Sequence, residues 1–270
     1  MQKQMSFISM LFFLFLLLGA CSNTNNSAQD PGDEEAGTAA ENAALTISAA
    51  VSLKEALDTI QADFQEEHPE IALTFNYGAS GSLQQQISQG APVDLFFSAA
   101  EDKFANLLEE GLIAGEDRVD LLGNELVLIT PKEDQSVRGL EDLTKGEISN
   151  ISIGTPESVP AGKYAKEALE EMDLWDKLES KVVFAKDVRQ VLSYVETGNV
   201  EAGLVYQTDA LTSEKIDIVA SVDAQTHTPI IYPVGVIKGS AQYEMAKVFL
   251  DYLQSDEALK VFEEYGFTIK

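Results

Sequence analysis

The sequence predicts an α/β protein of two lobes, each built on a sheet flanked by helices. From Leu45 onward, short apolar runs of strand length alternate with stretches whose apolar residues recur every three to four positions. Two strand-like runs, 125–130 and 231–237, bracket the middle third and have Pro131 and Pro233 at or beside them, as crossings between lobes would; a single continuous sheet is the alternative. A chain of 270 residues with 45% hydrophobic content has apolar material for one large domain or two lobes. Lobe one is then 45–124 with 233–270, and lobe two is 125–232.

The strand candidates, in order, are 45–50, 71–77, 93–98, 125–130, 151–154, 182–185, 202–206, 216–220 and 231–237. Between them Leu53, Ala56, Leu57, Ile60 and Phe64 recur at helical spacing. So do Ala165, Ala168, Leu169 and Met172, and Val188, Val191, Leu192 and Val195. Such stripes face a sheet and are core, as is the single tryptophan, Trp175. Two further helices are expected over 241–253 and 256–265, and no internal repeat is evident.

Ahead of this body, Lys3 is followed by an almost unbroken apolar run that ends at Leu18-Gly19-Ala20-Cys21. The run is too short for an ordinary membrane span, and small residues stand where a peptidase must approach the backbone, so 1–20 reads as a signal peptide. Leu-Gly-Ala-Cys resembles a bacterial lipobox, which implies that Cys21 carries lipid and holds the protein on the outer face of a membrane. Cys21 is the only cysteine, which excludes an internal disulfide and a cysteine-based metal cage. Residues 22–44 are rich in Asn, Ala, Gly and acids, with no apolar period. As a coil, a tether of that length averages roughly 25 Å end to end.

The formal charge is -27. Such a field repels polyanions and offers no basic groove, so nucleic acid is excluded as a partner. It also repels small anions, and an anion site here would need local, directed donors.

In open α/β sheets, ligands bind beyond the carboxyl ends of strands, where helix N-termini present unpaired N–H groups. Four junctions have suitable residues. In Ala49-Ala50-Val51-Ser52-Leu53, Ser52 is expected to cap the following helix. Gly78-Ala79-Ser80-Gly81-Ser82 is small enough for an anion to reach the backbone; with Ser at position 82 it departs from the Gly-x-Ser-x-Gly elbow of hydrolases. Thr155 to Gly162 precedes a helix, and Lys186-Asp187-Val188-Arg189 offers Asp187 as a cap. A serine before a helix is usually only a cap, so each junction alone says little.

Together with Gly-Ala-Pro-Val-Asp-Leu-Phe at 90–96, Leu-Leu-Gly-Asn at 121–124, Val-Pro-Ala-Gly-Lys-Tyr-Ala at 159–165, Gly-Leu-Val-Tyr at 203–206 and Tyr-Gly-Phe at 265–267, these junctions resemble the molybdate-binding protein of ABC importers. The resemblance runs through nearly all of the chain after Ala44. It implies a two-lobed type II periplasmic-binding-protein fold with molybdate or tungstate in the cleft and a membrane permease as partner. No cofactor and no free metal cation is implied, and the protein is expected to act as a monomer. The family's oxyanion contacts fall on Ser52, Ser80, Ala161, Val188 and Tyr206, with Ser82 an alternative to Ser80.

Other classes find less support. A hydrolase would need a base, yet the two histidines, His68 and His227, lack metal-ligand spacing, and carboxylate pairs are uninformative among 45 acidic residues. A structural surface protein would not need clustered Ser, Gly and Ala at these junctions. A receptor for another anion or an amino acid is the runner-up, with Arg189 available for a carboxylate.

Overall fold

The computed structural model describes residues 43–270; the signal peptide, Cys21 and all but the last two residues of the tether read from the sequence lie outside them. The first part of the chain lays down β1 (Ala43–Ala50), α1 (Lys54–Glu67), β2 (Ile71–Gly78), α2 (Ser80–Ser88), β3 (Leu95–Phe97), α3 (Glu101–Glu109) and β4 (Ile113–Gly123). The middle part gives β5 (Leu126–Pro131), β6 (Ile151–Gly154), α4 (Pro160–Glu171), α5 (Trp175–Leu178), β7 (Val182–Ala185), α6 (Val188–Glu196), β8 (Ala202–Tyr206), α7 (Gln207–Ala210) and β9 (Ile216–Ser221). The last part is β10 (Ile231–Ile237), α8 (Tyr243–Tyr252), α9 (Asp256–Glu264) and β11 (Thr268–Ile269).

These strands form two sheets, with orders β11-β4-β10-β3-β1-β2 and β7-β6-β8-β5-β9. In the first, β1 runs parallel to β2 and β3; in the second, β6 runs parallel to β7 and β8. Parallel neighbours need crossover helices, which is why α1, α4 and α6 present apolar stripes to the sheets. The two strands that follow a passage between sheets are inserted antiparallel: β5 against β8 and β9, and β10 against β3 and β4. The passages fall at Asn124–Glu125 and between β9 and β10. Segments 125–130 and 231–237 are therefore ladder members of one sheet each rather than the crossings themselves.

The short helices α5 and α7 escape the sequence reading, and so do three further elements. The strand β4 buries its side chains irregularly and meets β10 through two register shifts, so it shows no clean alternation. The helix α3 buries only Phe104 and Leu107, which join Leu83, Phe96 and Ile113 in a small separate core. The third is the two-residue strand β11. The main core is continuous beneath both sheets. After α9, Gly266 takes a φ of +90°, a left-handed turn suited to glycine, and sends Phe267 back into the core.

Candidate functional site

The carboxyl ends of β1, β2, β6 and β8 point to the seam between the sheets. One small cavity lies there, and Ser52, Ser80, Ala161, Val188 and Tyr206 all line it. Ser82 does not. Ser52 and Ser80 come from elements of the first sheet, and Ala161, Val188 and Tyr206 from elements of the second.

Local sequence explains each placement. Val51–Leu53 forms a 3₁₀ turn between β1 and α1. Ser52 lies inside this turn and caps nothing, contrary to the expectation from sequence: α1 begins at Lys54 without a side-chain cap. The Ser52 hydroxyl is instead within 3.0 Å of the Tyr232 hydroxyl. Ser80 is the first residue of α2 and fully buried. Pro160 starts α4, where its fixed φ suits the first helical position and its missing N–H is no loss. Ala161 follows it. At Gly162 a Cβ would come within 1.9 Å of the Gly154 carbonyl oxygen, so only glycine lets α4 press its first turn against the end of β6. Asp187 does cap α6, accepting from the Gln190 N–H at 2.8 Å, which leaves the N–H of Val188 directed outward from the helix start.

First-turn N–H groups have no intrahelical acceptor. Those of Ala161 and Val188 find no other hydrogen-bond partner among the described residues. Each is a directed donor at the positive end of a helix. The Ser80 oxygen accepts from the Ala99 N–H at 2.9 Å, so its own proton is free to point into the cavity. Tyr206 donates to the Ala99 carbonyl across a long 3.4 Å and can turn to a better acceptor. Burial raises the Tyr206 and Tyr232 pKa values well above normal, so both remain neutral hydroxyl groups.

No ionisable acid or base lines the cavity; its only titratable group is the Tyr206 phenol. Arg189, one residue past Val188, is turned away. Its Nε lies 2.5 Å from Asp209 Oδ1, in poor hydrogen-bond geometry, and its NH2 pairs with Glu55 of α1. Asp209 is wholly buried, and burial pushes its carboxyl up to about 7 against the opposing pull of Arg189. The two lobes meet around the cavity at several further points. Gly81 N–H donates to the Ser158 carbonyl at 2.9 Å, and Lys163 lies 3.3 Å from Asp102. At Gly81 a Cβ would stand 2.8 Å from the Ser158 Cα and carbonyl oxygen, so this backbone contact requires glycine.

Sequence reading gave no role to Tyr232 or Ala99, quoted Asn124 only within a motif, and took Gly81 only as a small residue of its junction. A signal existed for one of them: a tyrosine inside the apolar strand Ile231–Ile237 must find a partner for its hydroxyl when buried.

Two lobes of mixed sheet with helix starts and hydroxyls converging on a small cavity between them define a solute-binding protein, and the fold is that of the two-lobed type II periplasmic binding proteins. Residues 45–268 match the model for bacterial extracellular solute-binding proteins, and the chain belongs to that family. It is 52% identical over 269 residues, covering 99% of both chains, to YvgL of Bacillus subtilis, provisionally named as an ABC transporter substrate-binding lipoprotein. The molybdate-binding protein ModA of Haemophilus influenzae is 39% identical over 237 residues, covering 86% of this chain and 92% of its own. A solved substrate-binding domain from Clostridium difficile, provisionally ascribed to a molybdenum ABC transporter, is 49% identical. It superposes with a TM-score of 0.66 over 84% of this chain and 98% of its own. The chain is thus the substrate-binding component of an ABC transporter and not an enzyme.

Proposed function

We propose that this protein captures molybdate, or equally tungstate, and delivers it to a membrane permease while tethered by a lipid on Cys21. The observation that carries this reading is the cavity itself: two main-chain N–H groups and three hydroxyls from both lobes surround a space lined by no ionisable acid or base. Hydrogen bonds to a charged group contribute about 1.5 to 3 kcal/mol each, so five such donors can hold a dianion without a cation. None of the five is a carboxylate that could accept a proton from the ligand, which favours fully deprotonated tetrahedral anions. The ModA relative is named for molybdate, and the YvgL relative for a lipoprotein. Lobes of 45–124 with 233–270, and of 125–232, would then close on the anion, with the protein acting as a monomer.

A thermal-shift panel tests the reading, because a ligand that binds only the folded state raises its apparent stability. Molybdate and tungstate are expected to raise the melting temperature most, and an amino acid not at all. A larger shift with sulfate or phosphate would assign the cavity to another solute. The anchor is tested separately: Cys21→Ser is expected to release the protein from membranes, and its continued membrane association would refute lipidation at Cys21.

A further inference from the structure

The Ser52 hydroxyl can donate or accept, and an oxyanion in the cavity would need it to donate. Its surroundings decide which it does. Asn124 lies on the passage between the two sheets, and its Oδ1 accepts from the Glu125 N–H at 2.9 Å. That contact fixes the amide, so Nδ2 points the other way and donates twice, to Thr208 Oγ1 at 2.9 Å and to the Tyr232 hydroxyl at 3.1 Å. The Tyr232 side chain is fully buried, and its oxygen has two hydrogen-bond partners among the described residues, Asn124 and Ser52. An amide N–H₂ can only donate. The phenol oxygen therefore accepts from Asn124, and its own proton has Ser52 Oγ as its acceptor at 3.0 Å. Were Ser52 to donate instead, the phenolic proton would have no acceptor within hydrogen-bond distance among the described residues.

We propose that Tyr232, oriented by Asn124, is a positioning residue that fixes the Ser52 hydroxyl as a donor toward the anion. The chain of bonds runs one way, from Asn124 to Tyr232 to Ser52 to ligand. It also excludes a protonated oxyanion at this point, because the serine oxygen is already engaged by the phenol and turns its proton, not a lone pair, to the cavity. The Tyr232 ring packs against Tyr206, centroids 5.7 Å apart, so the same side chain steadies a second hydroxyl of the cavity. This inference rests on the reading of the cavity as an oxyanion site.

The test is a double-mutant cycle by calorimetric titration on wild type, Tyr232→Phe, Ser52→Ala and the double variant, with melting curves to verify folding. Tyr232→Phe keeps the ring and removes only the hydroxyl. It is expected to weaken molybdate binding roughly fivefold to tenfold, and to add almost nothing when Ser52 is already alanine. Losses that multiply in the double variant, or wild-type affinity in Tyr232→Phe, would overturn the proposal. Asn124→Asp supplies a second readout. Its carboxylate can only accept, so Tyr232 must turn to it, Ser52 must donate to Tyr232, and a lone pair then faces the ligand. In mildly alkaline buffer, molybdate and hydrogen phosphate carry equal charge but differ by one proton, so their affinity ratio cancels the added negative charge. That ratio is expected to fall severalfold, and an unchanged ratio contradicts the relay. The cycle is run with whichever dianion the wild type binds. If the wild type takes sulfate and not molybdate, the proposed ligand fails while the relay is still decided.

Discussion

Val188 and Arg189 are neighbours in sequence, yet they serve two opposite kinds of site. Val188 opens α6 and turns its N–H to a cavity whose lining holds no ionisable acid or base. Arg189 turns its guanidinium to two carboxylates, Asp209 of its own lobe and Glu55 of the other. One region handles charge with neutral dipoles, and the other handles it with full opposing charges. On the proposed function, the difference is how a chain of net charge -27 would hold an anion. A free arginine at the cavity would attract any anion, whereas fixed donors discriminate by geometry and by proton count. Arg189 is already engaged by carboxylates of both lobes, so it links them without lining the cavity.

The largest effect is expected where a charge is placed on the neutral side. Ser52→Asp would set a carboxylate against the dianion in a small cavity. Loss of molybdate affinity of at least about a thousandfold is expected, since like charges a few Å apart repel by several kcal/mol at an intermediate dielectric. Calorimetry on the folded variant checks it, and binding within tenfold of wild type would mean that Ser52 does not face the ligand.

Arg189→Met strikes the charged side. It leaves Asp209 buried without its cation and removes the link to Glu55, a kind of change that costs about 3 to 5 kcal/mol when the orphaned group stays ionised. Denaturant unfolding should show a large stability loss at pH 8. The loss should be smaller at pH 5, where the raised carboxyl takes up a proton instead. Molybdate affinity of the folded variant should change by far less than in Ser52→Asp. A collapse of affinity at unchanged stability would show that Arg189 contacts the ligand after all, as an amino-acid receptor would require.

Gly81→Ala acts on the seam between the lobes. Its methyl group would crowd the Ser158 backbone and hold the lobes apart without touching the anion. Affinity is expected to fall roughly tenfold through faster release, which stopped-flow dissociation reads, with thermal stability of the ligand-free protein nearly unchanged. Dissociation at the wild-type rate would show that the Gly81 to Ser158 contact does not govern closure.

The smallest effect is expected from Asp209→Asn. The folded Asp209 carboxyl titrates at about 7 against an ordinary 3.8, because burial raises it more than Arg189 lowers it. Between those values the folded state holds the extra proton, so this group's contribution to stability declines as pH rises through that window and is level above it. The melting temperature of Asp209→Asn relative to wild type should therefore climb between about pH 4 and pH 7 and then stay flat. A constant difference across the window would place the carboxyl at its ordinary value.

The two kinds of site were not equally legible in the sequence. Junctions that supply main-chain donors announce themselves, because Pro160, Gly162 and Asp187 are helix-start residues whose backbone roles follow from their chemistry. Strand positions were equally clear wherever a strand is buried on both faces, as at Leu95–Phe97 and Ala202–Tyr206, since a continuous apolar run is what such burial demands. The irregular strand Ile113–Gly123 gave no such signal, because its inner face is shared between two register shifts and a short edge strand. Side-chain relays were hidden for a different reason. Asn124, Tyr232 and Ser52 are up to 180 positions apart, and no local pattern links a hinge amide to a phenol on a later strand. Ser52 lies between β1 and α1 in a 3₁₀ turn, where the hydroxyl that a cap would have used is engaged by Tyr232.

Neutral, fixed donors would choose the ligand by its size and its protons, and calorimetric titration of the wild type with four anions decides whether they do. Sulfate has the charge of molybdate but shorter bonds to oxygen, so donors set for the larger tetrahedron would be stretched beyond roughly 3.2 Å on at least one side. Phosphate near neutral pH carries a proton that the five donors cannot accept without one of them withdrawing its own, a loss of about 1 to 3 kcal/mol. The expected order is molybdate and tungstate, nearly equal, then sulfate well below, then phosphate. Sulfate binding as tightly as molybdate, or phosphate binding better than sulfate, would contradict it.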